Sequence, residues 1–315
     1  MNKVFDKKNI ILLKIDENDL ISFLLKMDID DNGQPLYPLD IFSEELINII
    51  PEYVFAQYEN PSIPQTDVIN KMREAASAIY RIKEYDLMRK VYLSDDKDVI
   101  AEATKELDSL PYRNRGEFGE LLLHFILRDF KGTIPLVSKV YFKDSSGVPA
   151  HGFDAVHISP EEKILWLGES KLYVKGQDGI KALISDLVDH VKTDYLNEQF
   201  IIIKKNLKNN SIPQRDEWIN NLSSANLLSE KLKMINIPLL CIYENDVYDK
   251  FSDTDSPEVE EYHTLNIREL KQYFDDKNTH PLKQKLNIIL ILLPIKNKAD
   301  LIKKLHERLW HMQNI

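Results

Sequence analysis

The feature that most constrains this fold is an apolar run that ends in charged residues. The run Ile164–Leu167 leads through Gly168 into Glu169-Ser170-Lys171. A short apolar run preceded by turn-forming polar residues predicts a buried strand. Charged side chains at the end of such a strand are costly unless something binds them. We therefore expect Glu169 and Lys171 to serve a site.

A second strand-like run, Gly152–Ile158, precedes the first and determines how the two pair. A chain reversal around Glu161-Glu162 makes an antiparallel hairpin that sets Asp154 opposite Glu169. Because side chains alternate along a strand, Lys171 emerges on the same face as Glu169. The other predicted pairs on that face are apolar: Val156 with Leu167, and Ile158 with Leu165.

Two carboxylates held side by side repel each other unless one takes up a proton or a cation lies between them. Hard divalent cations, chiefly Mg²⁺ with Mn²⁺ as a substitute, prefer such oxygen ligands. The residues therefore favour a metal site at Asp154 and Glu169, with Lys171 beside it. The alternative is a buried ion-pair network with a purely structural role.

An amphipathic helix predicted over Arg115–Phe130 adds further acidic groups. Glu117 and Glu120 lie on a face next to its apolar stripe, so one of them can point at the same cation. The alternative is an acidic cluster favoured by the helix dipole. The apolar stripe consists of Phe118, Leu121, Leu122, Phe125 and Ile126.

The order of predicted elements indicates a mixed α/β fold. A mainly helical region over residues 1–110 precedes an α/β core over residues 111–315, and its predicted helices include one through Leu20–Met27. The core elements are the helix Arg115–Phe130, strands Leu136–Phe142, Gly152–Ile158 and Ile164–Lys171, a helix over residues 179–196, strands Ile237–Tyr243 and Asn287–Pro294, and a helix over Lys298–Met312. The segment Phe200–Leu207 fits a helix or a strand.

Charge and cysteine content exclude several functions. With 51 acidic and 41 basic side chains, the net charge is −10. This charge argues against a chain that binds nucleic acid by overall electrostatic attraction alone. The single cysteine, Cys241, excludes an internal disulfide and lies in an apolar run that predicts a buried, inert thiol. No apolar run is long enough to span a membrane, so we expect a soluble, cytoplasmic protein.

Three motifs resemble known nucleases. A helical glutamate, then Asp154, then Glu169-x-Lys171 at a strand end is similar to the core of the PD-(D/E)XK nuclease superfamily, although Phe153 replaces the proline that names the motif. Over residues 113–189 the chain also resembles the nuclease subunit of the Hachiman anti-phage defence system, the HamA-like family. The motifs are Arg115–His124, Gly152–His157 and Leu167–Leu172.

This resemblance implies a restriction-endonuclease-like mixed sheet and a Mg²⁺-dependent deoxyribonuclease. Asp154 and Glu169 would hold the metal with the backbone carbonyl of Ser170, and Glu120, or less surely Glu117, would complete the site. Lys171 would orient or deprotonate the attacking water and offset charge in the transition state. The resemblance also implies two partners: DNA and a superfamily 2 helicase subunit that is HamB-like.

Two other functions remain open from the sequence. The first is a catalytically inactive nuclease fold that acts as an interaction or regulatory subunit, against which the retained Asp154, Glu169 and Lys171 argue. The second is a hydrolase of another class, such as a glycosidase with two carboxylates. A lysine on the same face as the carboxylates suits a phosphate better than a sugar.

Overall fold

The structure is a computed structural model that describes residues 10–55, 65–110, 115–138, 152–209, 214–223 and 226–315. The described strands are β1 (Ile11–Asp16), β2 (Leu20–Leu25), β3 (Asp28–Ile29), β4 (Pro35–Leu36), β5 (Ile134–Ser138), β6 (Ala155–Ser159), β7 (Ile164–Tyr173), β8 (Ile235–Glu244) and β9 (Asn287–Ile295). The described helices are α1 (Leu39–Asn48), α2 (Ile50–Phe55), α3 (Val68–Ile79), α4 (Tyr85–Leu93), α5 (Lys97–Ser109), α6 (Glu117–Lys131), α7 (Gly176–His190), α8 (Thr193–Asn209), α9 (Arg215–Asn221), α10 (Leu228–Leu232), α11 (Val247–Lys250), α12 (Pro257–Lys277) and α13 (Lys298–Gln313).

Among the described strands, seven form one mixed sheet in the order β1-β2-β9-β8-β7-β6-β5. The four strands β2, β9, β8 and β7 pair in parallel, and the pairs at both edges are antiparallel. The central strands β8 and β9 are buried along nearly their whole length, as parallel strands covered on both faces are. The predicted mixed α/β fold, with helices flanking the sheet, is confirmed.

The hairpin of β6 and β7 has the predicted register. Val156 pairs with Leu167 and Ile158 pairs with Leu165. The last residue pair between the two strands is Ala155 with Gly168. Asp154 therefore lies one residue before β6, not within the strand as the sequence predicted, because β6 begins three residues later than Gly152.

Several predicted elements differ from the observed ones. The helix predicted through Leu20–Met27 is strand β2, and because all six of its residues are buried, its apolar spacing does not distinguish the two structures. The helix predicted over residues 179–196 is interrupted between α7 and α8, and the open segment Phe200–Leu207 is helical. The strand predicted over Leu136–Phe142 is β5, and residues from 139 onward lie outside the described chain.

Helices α6 and α7 pack on opposite faces of β7. A Cβ atom on Gly119 of α6 would lie 3.2 Å from Ser170 Oγ, and one on Gly168 would lie 2.8 Å from Leu123 Cδ2 of α6. Gly168 and Ser170 share one face of the strand, and Glu169 and Lys171 share the other. Helix α7 covers this second face, where it contacts both charged side chains.

The described chain divides into two compact units. One takes in the described parts of Met1–Pro38 and Gly119–Lys298 and contains the sheet. The other takes in those of Leu39–Phe118 and Ala299–Ile315 and is helical, with a Tyr80 to His306 hydrogen bond of 2.9 Å that ties the end of α3 to α13. The domain boundary predicted near residue 110 stays a prediction. None of the described helices has the length and apolarity needed to cross a membrane.

Candidate metal and phosphate site

The predicted site residues lie where β6 begins and along the second half of β7. Asp154 is 5% exposed and Glu169 is 2% exposed, so both carboxylates lie within the protein. Lys171 is less enclosed, with a side chain that is 26% exposed. The site thus combines buried acidic groups with a cation that reaches toward solvent.

Asp154 is held by Ser170. Its Oδ2 accepts hydrogen bonds from the Ser170 backbone N–H and from the Ser170 hydroxyl, each at 2.9 Å. Hydrogen bonds to a charged acceptor are stronger than neutral ones and fix the orientation of the carboxylate. Ser170, which lies between Glu169 and Lys171, therefore positions Asp154.

Helix α7 supplies a partner for each charged side chain of β7. His190 Nδ1 lies 2.6 Å from Glu169 Oε1, and the Lys171 ammonium forms an ion pair with Asp186. Burial lowers the pKa of Lys171, but the hydrogen bond and charge of Asp186, and then the charges of Asp154 and Glu169, outweigh it and raise that pKa. Lys171 is thus a protonated side chain in the field of three carboxylates.

The helical glutamates lie in α6. Glu117 forms an ion pair with Arg115 at 3.0 Å. Glu120 is half-buried and follows Gly119, the residue that packs against Ser170. Helix α6 packs on the face of β7 opposite Glu169 and Lys171. The participation of Glu117 or Glu120 stays a prediction.

The donor set fits a hard divalent cation that keeps part of its water shell. In the part of the chain that the structure describes, no three His, Cys, Asp or Glu side chains are grouped to hold a metal ion. Mg²⁺ is usually bound by one or two carboxylates together with waters and substrate phosphates. Asp154, Glu169 and the Ser170 carbonyl are the groups that would supply ligands of that type.

The contacts that α7 makes with Glu169 and Lys171 are not among the sequence predictions. Asp186 and His190 lie one helical turn apart, beside the buried residues Leu183 and Leu187. The available signal was this polar pair next to the apolar stripe of an amphipathic helix that directly follows the Glu169-x-Lys171 motif. Local spacing does not reveal that the helix folds back onto the same strand.

The fold and the site together define a mixed α/β protein with two buried carboxylates and a lysine at the end of a hairpin. Its sequence matches the profile of the HamA family over residues 2–309 of 315, and the chain belongs to that family. Family membership supports a role in Hachiman defence, which implies partner proteins. Among curated proteins, no relative matches the chain.

Proposed function

We propose that this protein is a Mg²⁺-dependent DNA nuclease that acts in Hachiman anti-phage defence. The observations that support the proposal are the hydrogen bonds that hold Asp154 on Ser170, between Glu169 and Lys171, and the charge of both carboxylates acting on Lys171. A buried pair of carboxylates beside a protonated lysine is costly as a purely structural device. It suits a site that binds a cation and a phosphate together.

Each side chain has a distinct task in the proposed reaction. Asp154 and Glu169, with the Ser170 carbonyl, would hold Mg²⁺, which when bound would polarise the phosphate and lower the pKa of the attacking water. Lys171, which stays protonated, would orient that water and offset negative charge while the water oxygen bonds to phosphorus and the bond from phosphorus to the leaving sugar oxygen breaks. The attacking water would lose its proton to solvent, and the leaving oxygen would take one up. Glu120, or less surely Glu117, is the proposed ligand from α6.

The net charge of −10 supports dependence on a partner. Neutralisation of DNA phosphates by basic side chains supplies most nonspecific affinity, and this chain carries an excess of acidic ones. We propose that a superfamily 2 helicase, HamB-like and encoded beside this protein, holds the nuclease and delivers it to DNA. Such an arrangement would restrain cleavage of host DNA until the helicase meets abnormal DNA.

A cleavage assay on supercoiled, linear and single-stranded DNA tests the nuclease, with and without Mg²⁺ and the product of the neighbouring gene. We expect Glu169→Ala and Lys171→Ala to lower the cleavage rate at least about 100-fold, because the first removes a proposed ligand of Mg²⁺ and the second removes the cation that offsets transition-state charge. Lys233→Ala, which changes an exposed lysine, is the matched control and should keep the wild-type rate.

The same assay separates the proposal from its main alternative, a catalytically inactive interaction or regulatory subunit. That alternative predicts no cleavage under any of these conditions and no Mg²⁺ binding in calorimetry. Plasmid nicking that survives Asp154→Ala would contradict the assignment of the site. Rapid cleavage of intact plasmid by the isolated chain at low concentration would contradict the restraint by a partner.

A further inference from the structure

Helix α7 carries two polar side chains that each contact one charged residue of β7. Asp186 forms an ion pair with Lys171, and His190 Nδ1 lies 2.6 Å from Glu169 Oε1. The two residues are four positions apart and therefore lie on the same face of the helix. A single rigid element thus contacts both residues of the Glu169-x-Lys171 motif.

Packing holds the His190 ring in place. The ring stacks on Tyr195 with centroids 4.5 Å apart and an interplanar angle of 6°. It also forms a T-shaped pair with Phe153, with centroids 5.6 Å apart. Phe153 is buried and also contacts Tyr195, at 5.8 Å. Since Phe153 directly precedes Asp154, the same group of rings adjoins the segment that carries the other buried carboxylate.

The helix itself is anchored to the sheet. Ile180, Leu183 and Leu187 of α7 belong to the buried core that also contains Val156 and Leu167 of the hairpin. Near its start, a Cβ atom on Gly179 would lie 2.6 Å from Cys241 Sγ. Because its apolar face packs closely on the sheet, α7 places Asp186 and His190 in a defined position beside β7.

We propose that α7 is the positioning element of the site, and this inference rests on the proposed nuclease function. His190 holds Glu169 in the orientation that binds the metal. Hydrogen bonds to ligating carboxylates fix the geometry of metal sites and are a substantial part of their affinity. Asp186 holds the Lys171 ammonium, whose long side chain would otherwise sample many rotamers. In this proposal His190 controls the affinity for the metal, and Asp186 controls the contact of Lys171 with the transition state.

Four variants test this division of roles. His190→Phe keeps a ring for Tyr195 but removes the hydrogen bond, and we expect Mn²⁺ affinity of the DNA-free chain, measured by calorimetry, to fall about 10- to 100-fold. His190→Gln restores a donor and should recover part of that affinity.

Asp186→Asn should leave Mn²⁺ affinity within about 2-fold but lower kcat at least about 10-fold at unchanged KM. Asp186→Glu should recover part of kcat.

The matched control is Asp189→Asn. Asp189 is an exposed residue of the same helix that pairs with Lys192 at 2.7 Å, so this variant makes the same charge change away from β7. It should match the wild type in Mn²⁺ affinity, kcat and KM. Thermal midpoints of all variants, measured without metal, separate these effects from unfolding, and the two conservative replacements separate them from lost packing.

The outcomes distinguish this inference from the proposed function. If the wild-type complex with its partner binds Mn²⁺ and cleaves DNA, but His190→Phe and Asp186→Asn behave like Asp189→Asn, the positioning role alone is wrong. Faster cleavage by Asp186→Asn or His190→Phe would also overturn it, because the contacts would then restrain the site. If the wild-type complex neither binds Mn²⁺ nor cleaves, both proposals fail together.

Discussion

His124 and His157 form a buried polar chain with Thr133 on the α6 face of the sheet. Thr133 Oγ1 lies 2.7 Å from His157 Nδ1, and His157 Nε2 lies 3.1 Å from His124 Nδ1. Burial, aided by the charge of Arg128, lowers the pKa of His157 to about 3. Burial also lowers the pKa of His124, with further contributions from His157 and Arg128. Both rings are therefore neutral in the folded protein at neutral pH.

These histidines should make folding stability fall in acid. Below the unfolded-state pKa of about 6.5, these histidines are protonated in the unfolded chain but stay neutral in the folded protein. For each ring, the free energy of unfolding therefore falls by roughly 1.4 kcal/mol for every pH unit below that value. The loss begins near pH 6.5 and continues toward the lowered folded-state pKa. Urea unfolding between pH 7.5 and pH 5 measures it.

His157→Asn tests the contribution of one ring. The variant should be less stable than the wild type at pH 7.5 but lose less stability on acidification, because one titrating group is gone. His311→Asn, which changes an exposed histidine to the same residue, is the matched control. Equal slopes for the wild type and His157→Asn would contradict the account.

At the scale of elements, the contact between α7 and β8 depends on glycine. A Cβ atom on Gly176 would lie 3.1 Å from Tyr243 Cδ2, and one on Gly179 would lie 2.6 Å from Cys241 Sγ. Cys241 is fully buried beneath this turn, and burial raises the pKa of its thiol to about 12. The predicted burial of this thiol is thus observed, and α7 covers it. Its inertness stays a prediction.

Gly179→Ala should lift the first turn of α7 from the sheet. We expect a loss of about 1–3 kcal/mol in the free energy of unfolding, because an added methyl group overpacks the contact. Labelling of Cys241 by an aromatic disulfide reagent should be slow in the folded wild type and faster in the variant. Gly116→Ala, whose Cβ would meet nothing within 4 Å, is the control. Unchanged labelling and stability in Gly179→Ala would contradict this packing.

At the scale of the whole molecule, charge governs contact with DNA. Because the net charge is −10, we expect the isolated chain to bind a duplex with a Kd weaker than about 10⁻⁵ M near physiological salt. The complex with its helicase partner should bind more tightly, with an affinity that falls steeply as salt rises. Fluorescence anisotropy over a salt series measures both. Submicromolar binding by the isolated chain would contradict this expectation.

The sequence predicted the hairpin well and its surroundings less well. The pairs Val156 with Leu167 and Ile158 with Leu165 are present, because side-chain alternation leaves one register that buries the apolar face. By contrast, β2 was predicted as a helix and α12, a long polar helix, was not predicted. A run buried on all sides has no distinguishing periodicity, and a helix with few apolar residues gives a weak signal.

The amino-acid sequence by itself determined that Glu169 and Lys171 share a face and that Asp154 lies near them, because a strand has a period of two and a short reversal fixes its partner. Only the tertiary structure decided that Asp186 and His190 contact these residues and that β2, from the start of the chain, pairs with β9 near its end. Such contacts depend on where a helix or strand packs after the chain has crossed the sheet. The spacing of residues within one element therefore does not predict these contacts.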